Sequence, residues 1–262
     1  LIYFNGCSFT KGHEMDARDV DAFPSLVALD LDQEFYNHAK IGGTNERIQR
    51  TTQNYILRSR KEIQKNDRKG SLISRSSKTA KVDFAIIMWT GINRLEFMTE
   101  TKWKNATWRK YELNAEYLPT NDSYILKDKD LDEDIDHHLN GYIKTRSAMF
   151  CLKWTISYML ATKYFFKAHN IPYLFYTFSS QHYKPLLHLL DEKYYEEANF
   201  AWPSYEMDKK EVLKELPFLK RDGFLEICKK DSLPTGKKDH PLESGHKRMT
   251  EVILGDIKDK WL

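Results

Sequence analysis

Residues 82–89 read VDFAIIMW, a short segment that is apolar at nearly every position. A strand that alternates apolar and polar residues needs cover on one face only, but a strand apolar on both must be packed above and below. Parallel sheets sandwiched between helices meet that demand. Two further runs have the same character, LIYF at 1–4 and IPYLFYTF at 171–178, and Glu34–Asn37 fits as another strand. Between them apolar residues recur at helical spacing. This predicts helices over 22–31, with Pro24 tolerated in the first turn, and over 45–65, 142–169, 183–197, 209–215 and 244–254. Strands alternating with helices predict an α/β fold: a three-layer α/β/α sandwich with a central, mainly parallel sheet, built as one domain over residues 1–262. Residues 66–81 read as an exposed polar loop, and 99–140 as an insertion of hairpin or loop character.

Composition narrows the function classes. The chain carries 41 Lys+Arg against 38 Asp+Glu, a net charge of +3, and the two signs are interspersed. Nucleic acid is therefore not expected as a partner. The three cysteines, Cys7, Cys151 and Cys228, are odd in number and far apart, which argues against both a disulfide framework and a CxxC metal site. The longest apolar runs fall far short of the ~20 residues that span a bilayer, so no membrane association is expected. No basic segment followed by an apolar one opens the chain. The expected location is cytoplasmic, with no signal peptide. Neither GxxxxGK[ST] nor GxGxxG occurs, so a nucleotide cofactor has no support.

In open α/β sheets, ligands gather beyond the carboxyl ends of the strands. Three segments occupy such positions: Gly6-Cys7-Ser8-Phe9-Thr10 after the first strand, Gly42-Gly43-Thr44-Asn45 after the second, and Thr90-Gly91-Ile92-Asn93-Arg94 after the third. A late segment, Asp239-His240-Pro241, precedes the last helix, with Gly245-His246 inside it. Each is ordinary turn chemistry when taken singly. In this order they resemble the SGNH (GDSL-type) hydrolase superfamily, whose members carry Ser, Gly, Asn and His in four separated blocks on a flavodoxin-like α/β/α sandwich. The strings NGCSFT, IGGTNERIQRTT and MWTGINRLEF look most like a branch of that superfamily frequent in bacteriophage genomes. The likeness covers roughly residues 1–98 and 218–262 and says little about 99–170.

The resemblance implies a serine esterase or acylhydrolase working through an acyl-serine, its substrate a small-molecule or carbohydrate ester such as an O-acetyl group, with no cofactor and no metal. Ser8 would be the nucleophile and His240 the base that removes its proton. The oxyanion hole would combine the Ser8 amide, the amide of Gly42 or Gly43, with Gly42 favoured, and the Asn93 carboxamide. The family's usual Asp three residues before the histidine is replaced by Lys237. Asp239 is adjacent to His240, and neighbours in extended chain point apart. The orienting acid is thus Asp239 brought round by a turn, a remote acid, Glu243, or absent, leaving a dyad with a backbone carbonyl.

Several other residues carry chemistry. Arg94, directly after Asn93, and His246 are candidate substrate contacts, with His246 better explained as a packing residue than as a second base. Cys7 reads as a small buried hydrophobe. Arg47 and Arg50 share a helix face near the GGTN loop and read as ion-pairing residues or, less simply, as readers of an anionic substrate. The acidic run DEDIDHH, Asp132–His138, matches no zinc or calcium spacing. Two rival readings stand beside the esterase. One is a binding or virion-associated module that keeps the fold with weak or no catalysis; the other is a metal-assisted phosphoesterase using His240, His246 and the acidic run.

Overall fold

A computed structural model describes residues 1–69, 81–92, 94–98, 103–107, 148–190 and 208–261. In chain order its elements are β1 (Ile2–Asn5), α1 (Ser8–Lys11), α2 (Arg18–Asp21), α3 (Phe23–Asp30), β2 (Phe35–Asn37), α4 (Asn45–Lys69) and β3 (Phe84–Trp89). These are followed by β4 (Arg94–Met98), β5 (Trp103–Thr107), α5 (Ala148–Ala168), β6 (Tyr173–Thr177), α6 (Lys209–Glu215), α7 (Phe224–Lys230) and α8 (Glu243–Trp261).

Four strands form the central sheet in the order β2-β1-β3-β6. All neighbours run parallel, with Ile2 opposite Phe35 on one side and Phe84 on the other, and Ile86 opposite Leu174. Side chains alternate between the two faces, as the pleat requires. Tyr3, Ala85, Ile87, Trp89 and Phe175 pack with Ile48 and Ile56 of α4 and with Leu152 and Met159 of α5. Phe4, Ile86, Met88, Leu174 and Tyr176 pack with Phe23 and Val27 of α3, Phe224 of α7, and Met249 and Ile253 of α8. The chain is an α/β/α sandwich, and β3 is apolar throughout because it is central and covered twice.

Parallel strands bring their carboxyl ends to one edge. There β1 delivers Gly6–Thr10, β3 delivers Thr90 and Gly91, and β6 delivers Phe178–Ser180. The GGTN loop connects β2 to α4.

The structure departs from the sequence expectations at several elements. The helix expected over 183–197 is a 3-10 helix over Lys184–Leu190, opened by a bond from the Leu186 amide to the Tyr183 carbonyl; the remainder lies outside the described residues. The tighter winding keeps Tyr183, Leu186, Leu187 and Leu190 buried in one cluster. Strands β4 and β5 pair antiparallel, in keeping with the hairpin character expected of the insertion, but β4 lies before residue 99, where the insertion is expected to begin; 99–102 and 108–140 lie outside the described residues. Helix α7 forms over FLEICKK, which shows no long periodic run of its own.

Candidate active site

Strand β1 ends on Asn5, which is fully buried. Its carboxamide accepts from the Gly6 amide at 2.9 Å and donates to Thr51, Thr52 and the Ile48 carbonyl of α4, so the strand end is tied to the neighbouring helix. Gly6 then passes so close to Thr10 that a Cβ there would sit 2.1 Å from Thr10 Oγ1 and 3.0 Å from the Met88 carbonyl. The close approach lets the chain enter α1 at once, with Cys7 as the residue before the helix and Ser8 as its first residue. An amide at that position has no acceptor within its own helix. Cys7 is fully buried, as a small hydrophobe would be.

Ser8 Oγ lies 2.8 Å from His240 Nε2, joining residues 232 positions apart in sequence. His240 Nδ1 lies 3.0 Å from Glu14 Oε2. A carboxylate only accepts, so the proton belongs on Nδ1, and Nε2 presents its lone pair to the serine hydroxyl. The His240 and Glu14 side chains retain 11% and 17% of their exposure, so the contact is largely shielded from solvent. Glu14 Oε2 also accepts from the Lys238 amide at 3.0 Å, which fixes the loop carrying the histidine.

Desolvation and charge act on both groups. Burial lowers the His240 pKa; the bond to Glu14 raises it, while His13 and Arg94 lower it further, and the net shift is downward. For Glu14, partial desolvation works upward but is outweighed by the Lys238 amide and by His240, so its carboxyl titrates below the usual glutamate range. At neutral pH the arrangement is therefore a neutral imidazole between a hydroxyl and a carboxylate.

Asp239, a sequence candidate for the orienting acid, does not hold the imidazole. It is exposed, and its backbone is left-handed at φ 58° in the turn closed by its own amide on the Gly236 carbonyl. That turn lets the Gly236 amide bond the His240 carbonyl and aligns Thr235 against Pro241, presenting His240 inward. The carboxylate at Nδ1 comes instead from Glu14, the remote acid left open by the sequence. Glu14 adopts φ 74° just beyond the left-handed Gly12 that ends α1, and this doubles the chain back toward Ser8. A polar string so close after GCSFT was the available signal.

The GGTN loop packs against the serine turn. Gly43 is buried, and a Cβ there would lie 3.0 Å from both the Gly6 and Lys40 carbonyls and 3.6 Å from Cys7 Cα. Its amide is engaged by the Lys40 carbonyl at 2.9 Å. Gly42, at φ 72°, takes the left-handed turn position. Asn45, whose place in GGTN suggests no more than turn chemistry, is a buried clamp. It accepts from the Thr90 amide at 2.8 Å and donates to the Thr90 carbonyl at 3.0 Å, locking the end of β3 to the start of α4. The Tyr183 hydroxyl donates to the same carbonyl. Asn93 lies outside the described residues.

Arg94 is half-buried, donates to the Gly43 carbonyl at 3.1 Å, and places its guanidinium 5.8 Å from the centre of the Phe178 ring. Phe178 meets Phe9, and Phe9 meets His240, each at 5.0 Å between ring centres. His182 stands beside Phe178, its pKa lowered to about 4 by burial and then by Arg94, against an upward pull from Glu226. Glu226 itself accepts from Ser179 and from the Ser180 amide, pinning the segment after β6 to α7.

His246 is not at the site's surface. It is fully buried, accepts from the Phe23 amide at Nδ1, and packs between Phe23 and Phe224, so its role is internal. Arg47 donates to the His38 carbonyl. The acidic run at 132–138 lies outside the described residues, and among those described no three His, Cys, Asp or Glu side chains cluster as metal ligands. No described helix is long and apolar enough to cross a membrane.

Among curated proteins, none matches the chain. Of the solved structures, an acetyl xylan esterase (Est2A) from the rumen bacterium Butyrivibrio proteoclasticus is similar, with 11% identity and a TM-score of 0.44. The similarity covers 99% of this chain and 63% of that one, so the chain spans less than two thirds of that enzyme's length. A family model matches residues 10–259, a stretch that begins just after Ser8 and contains both Glu14 and His240. The chain belongs to that family, which is described as a family of unknown function (DUF6071).

Proposed function

We propose that this protein is a serine ester hydrolase of the SGNH type, acting through an acyl-Ser8 intermediate on small-molecule or carbohydrate esters. The observation that carries the reading is the relay of Ser8, His240 and Glu14, at 2.8 Å and 3.0 Å. The likeness of the four sequence blocks to that superfamily supports it.

In the first half-reaction, His240 Nε2 takes the hydroxyl proton as Ser8 Oγ bonds to the ester carbonyl carbon. The imidazolium that forms is stabilised by Glu14, which also fixes the tautomer. The proton then passes to the departing alcohol as the carbon–oxygen bond breaks, leaving acyl-Ser8. In the second half-reaction a water gives its proton to His240 and attacks the acyl carbon, and Ser8 leaves with the proton returned. The products are one carboxylic acid and one alcohol.

The oxyanion is held by the Ser8 amide, which heads α1, and by the Gly42 amide, since that of Gly43 is already spent on Lys40. The family resemblance assigns the third donor to the Asn93 carboxamide, which lies outside the described residues. Preorganised donors of this kind each contribute about 3 kcal/mol to the transition state.

Turnover of 4-nitrophenyl acetate tests the proposal, with Ser8→Ala as control and EDTA in a parallel reaction. Chelator-insensitive hydrolysis that is lost in the variant is the expected result. A wild-type protein that binds a fluorophosphonate nowhere and hydrolyses nothing would instead be the non-catalytic module. Inhibition by EDTA would point to metal-assisted chemistry.

A further inference from the structure

Arg94 is a guanidinium at the mouth of the site with an unusual set of neighbours. Its described contacts are one carbonyl, that of Gly43, and the face of Phe178. Among the described residues it has no carboxylate partner. A half-buried arginine normally finds one, because a partly desolvated cation without a counter-charge is costly. Its charge nonetheless reaches the site, contributing to the lowered pKa of both His240 and His182.

The surroundings do not supply the missing anion. Glu14 is spent on His240 and on the Lys238 amide, and Glu226 on Ser179, Ser180 and the Gly223 amide. Asp239, in the turn before His240, is exposed. That turn also bears Lys237 and Lys238, and the GGTN loop bears Lys40; all three are exposed and none has an ion-pair partner among the described residues. Exposed cations thus stand on two of the loops around one serine, with Asp239 as the exposed carboxylate between them.

Resting on the hydrolase reading above, we infer that the ester substrate carries an anionic group, a carboxylate close to the scissile bond, and that Arg94 is the specificity-determining residue that binds it. The guanidinium keeps one N–H on Gly43 and offers its remaining N–H groups toward the substrate. Phe178 backs it through a cation–π contact and holds its plane. An acidic saccharide ester or the half-ester of a dicarboxylic acid has the required chemistry.

The test uses the full chain and three substrates: neutral 4-nitrophenyl acetate, mono-4-nitrophenyl succinate with its charge on the acyl side, and 4-acetoxybenzoate with its charge on the alcohol side. Arg94→Gln disturbs Gly43 as well as the charge, so the quantity to read is the ratio of kcat/KM for each anionic ester to that for the neutral one. The ratio for one anionic ester falls about tenfold or more in Arg94→Gln, mainly through KM, and Arg94→Lys restores much of it. In wild type, raising the salt concentration lowers the same ratio. Ratios that stay put for both anionic esters while neutral turnover is intact overturn the anion reading alone. Failure of the wild type to hydrolyse any of the three overturns the hydrolase reading beneath it.

Discussion

Glu14 has the weight of a catalytic partner without the sequence position of one. It is held by two directional contacts, from His240 and from the Lys238 amide, and so orients both the imidazole and the loop that carries it. Glu14→Gln keeps the shape but lets an amide N–H face Nδ1, which favours the wrong tautomer. Turnover of 4-nitrophenyl acetate should then drop by about two to four orders of magnitude, with the melting temperature much less affected. Asp239→Asn preserves a residue tolerant of the left-handed turn and should change turnover by no more than about twofold. Reversed results would return the orienting role to Asp239. The pair also shows what sequence can and cannot disclose. Ser8 and His240 are legible because the blocks that carry them, one after a strand and one before a helix, stand with two others in an order that resembles a known superfamily. Glu14 is not, because its approach to His240 depends on two left-handed positions, Gly12 and Glu14 itself, and on a loop 226 residues away. Asp239 drew attention only through adjacency, which in a turn is poor evidence of direction.

The elements that position the site are legible to different degrees, for physical reasons. Strands β1, β3 and β6 are apolar on both faces, so burial alone identifies them. The 3-10 helix at Lys184–Leu190 and the short α7 have no such signature, because they are held by contacts with the sheet rather than by their own periodicity. The turn from β1 into α1 belongs to a third kind, where a string of small residues is visible but the reason for it is not. Gly6 is required by Thr10, whose Oγ1 would sit 2.1 Å from an added Cβ and which lacks a hydrogen-bond partner among the described residues. Gly6→Ala should therefore cost about 1–3 kcal/mol by crowding and depress turnover by shifting Ser8. Thr10→Ala alone removes an unsatisfied hydroxyl and should be close to neutral. Combined with Gly6→Ala it relieves the shortest contact, though Thr10 Cβ at 2.9 Å and the Met88 carbonyl at 3.0 Å remain, so the rescue is partial. Chemical denaturation of the four proteins gives the coupling energy; strict additivity would mean that Thr10 is not what excludes a side chain at position 6.

Among the described residues, His246, His38 and His182 are folded in as neutral groups. Burial first of all lowers His246 to about 3 and His38 and His182 to about 4, each against an ordinary value of 6.5. They lie in different places: His246 under α3 and α7, His38 beside Tyr3 at the β2 edge, and His182 at the mouth of the site. Acid should therefore loosen both helical layers and the site together rather than peel away one element. The unfolded chain binds protons at these residues below about pH 6.5, while the native chain declines them until near pH 4 or lower. Their contribution to stability is thus complete above 6.5 and is lost as pH falls toward the native values. Each excluded proton costs about 1.4 kcal/mol of stability per pH unit within that window. Unfolding free energy measured by urea denaturation should be flat in this respect above pH 6.5 and fall steeply between 6 and 4. His246→Asn retains an acceptor for the Phe23 amide and removes one titrating group, so it should shallow the acid slope by close to one proton. If the slope of that variant matches wild type, His246 is not buried neutral, and the packing of α8 against α3 through it would need to be redrawn.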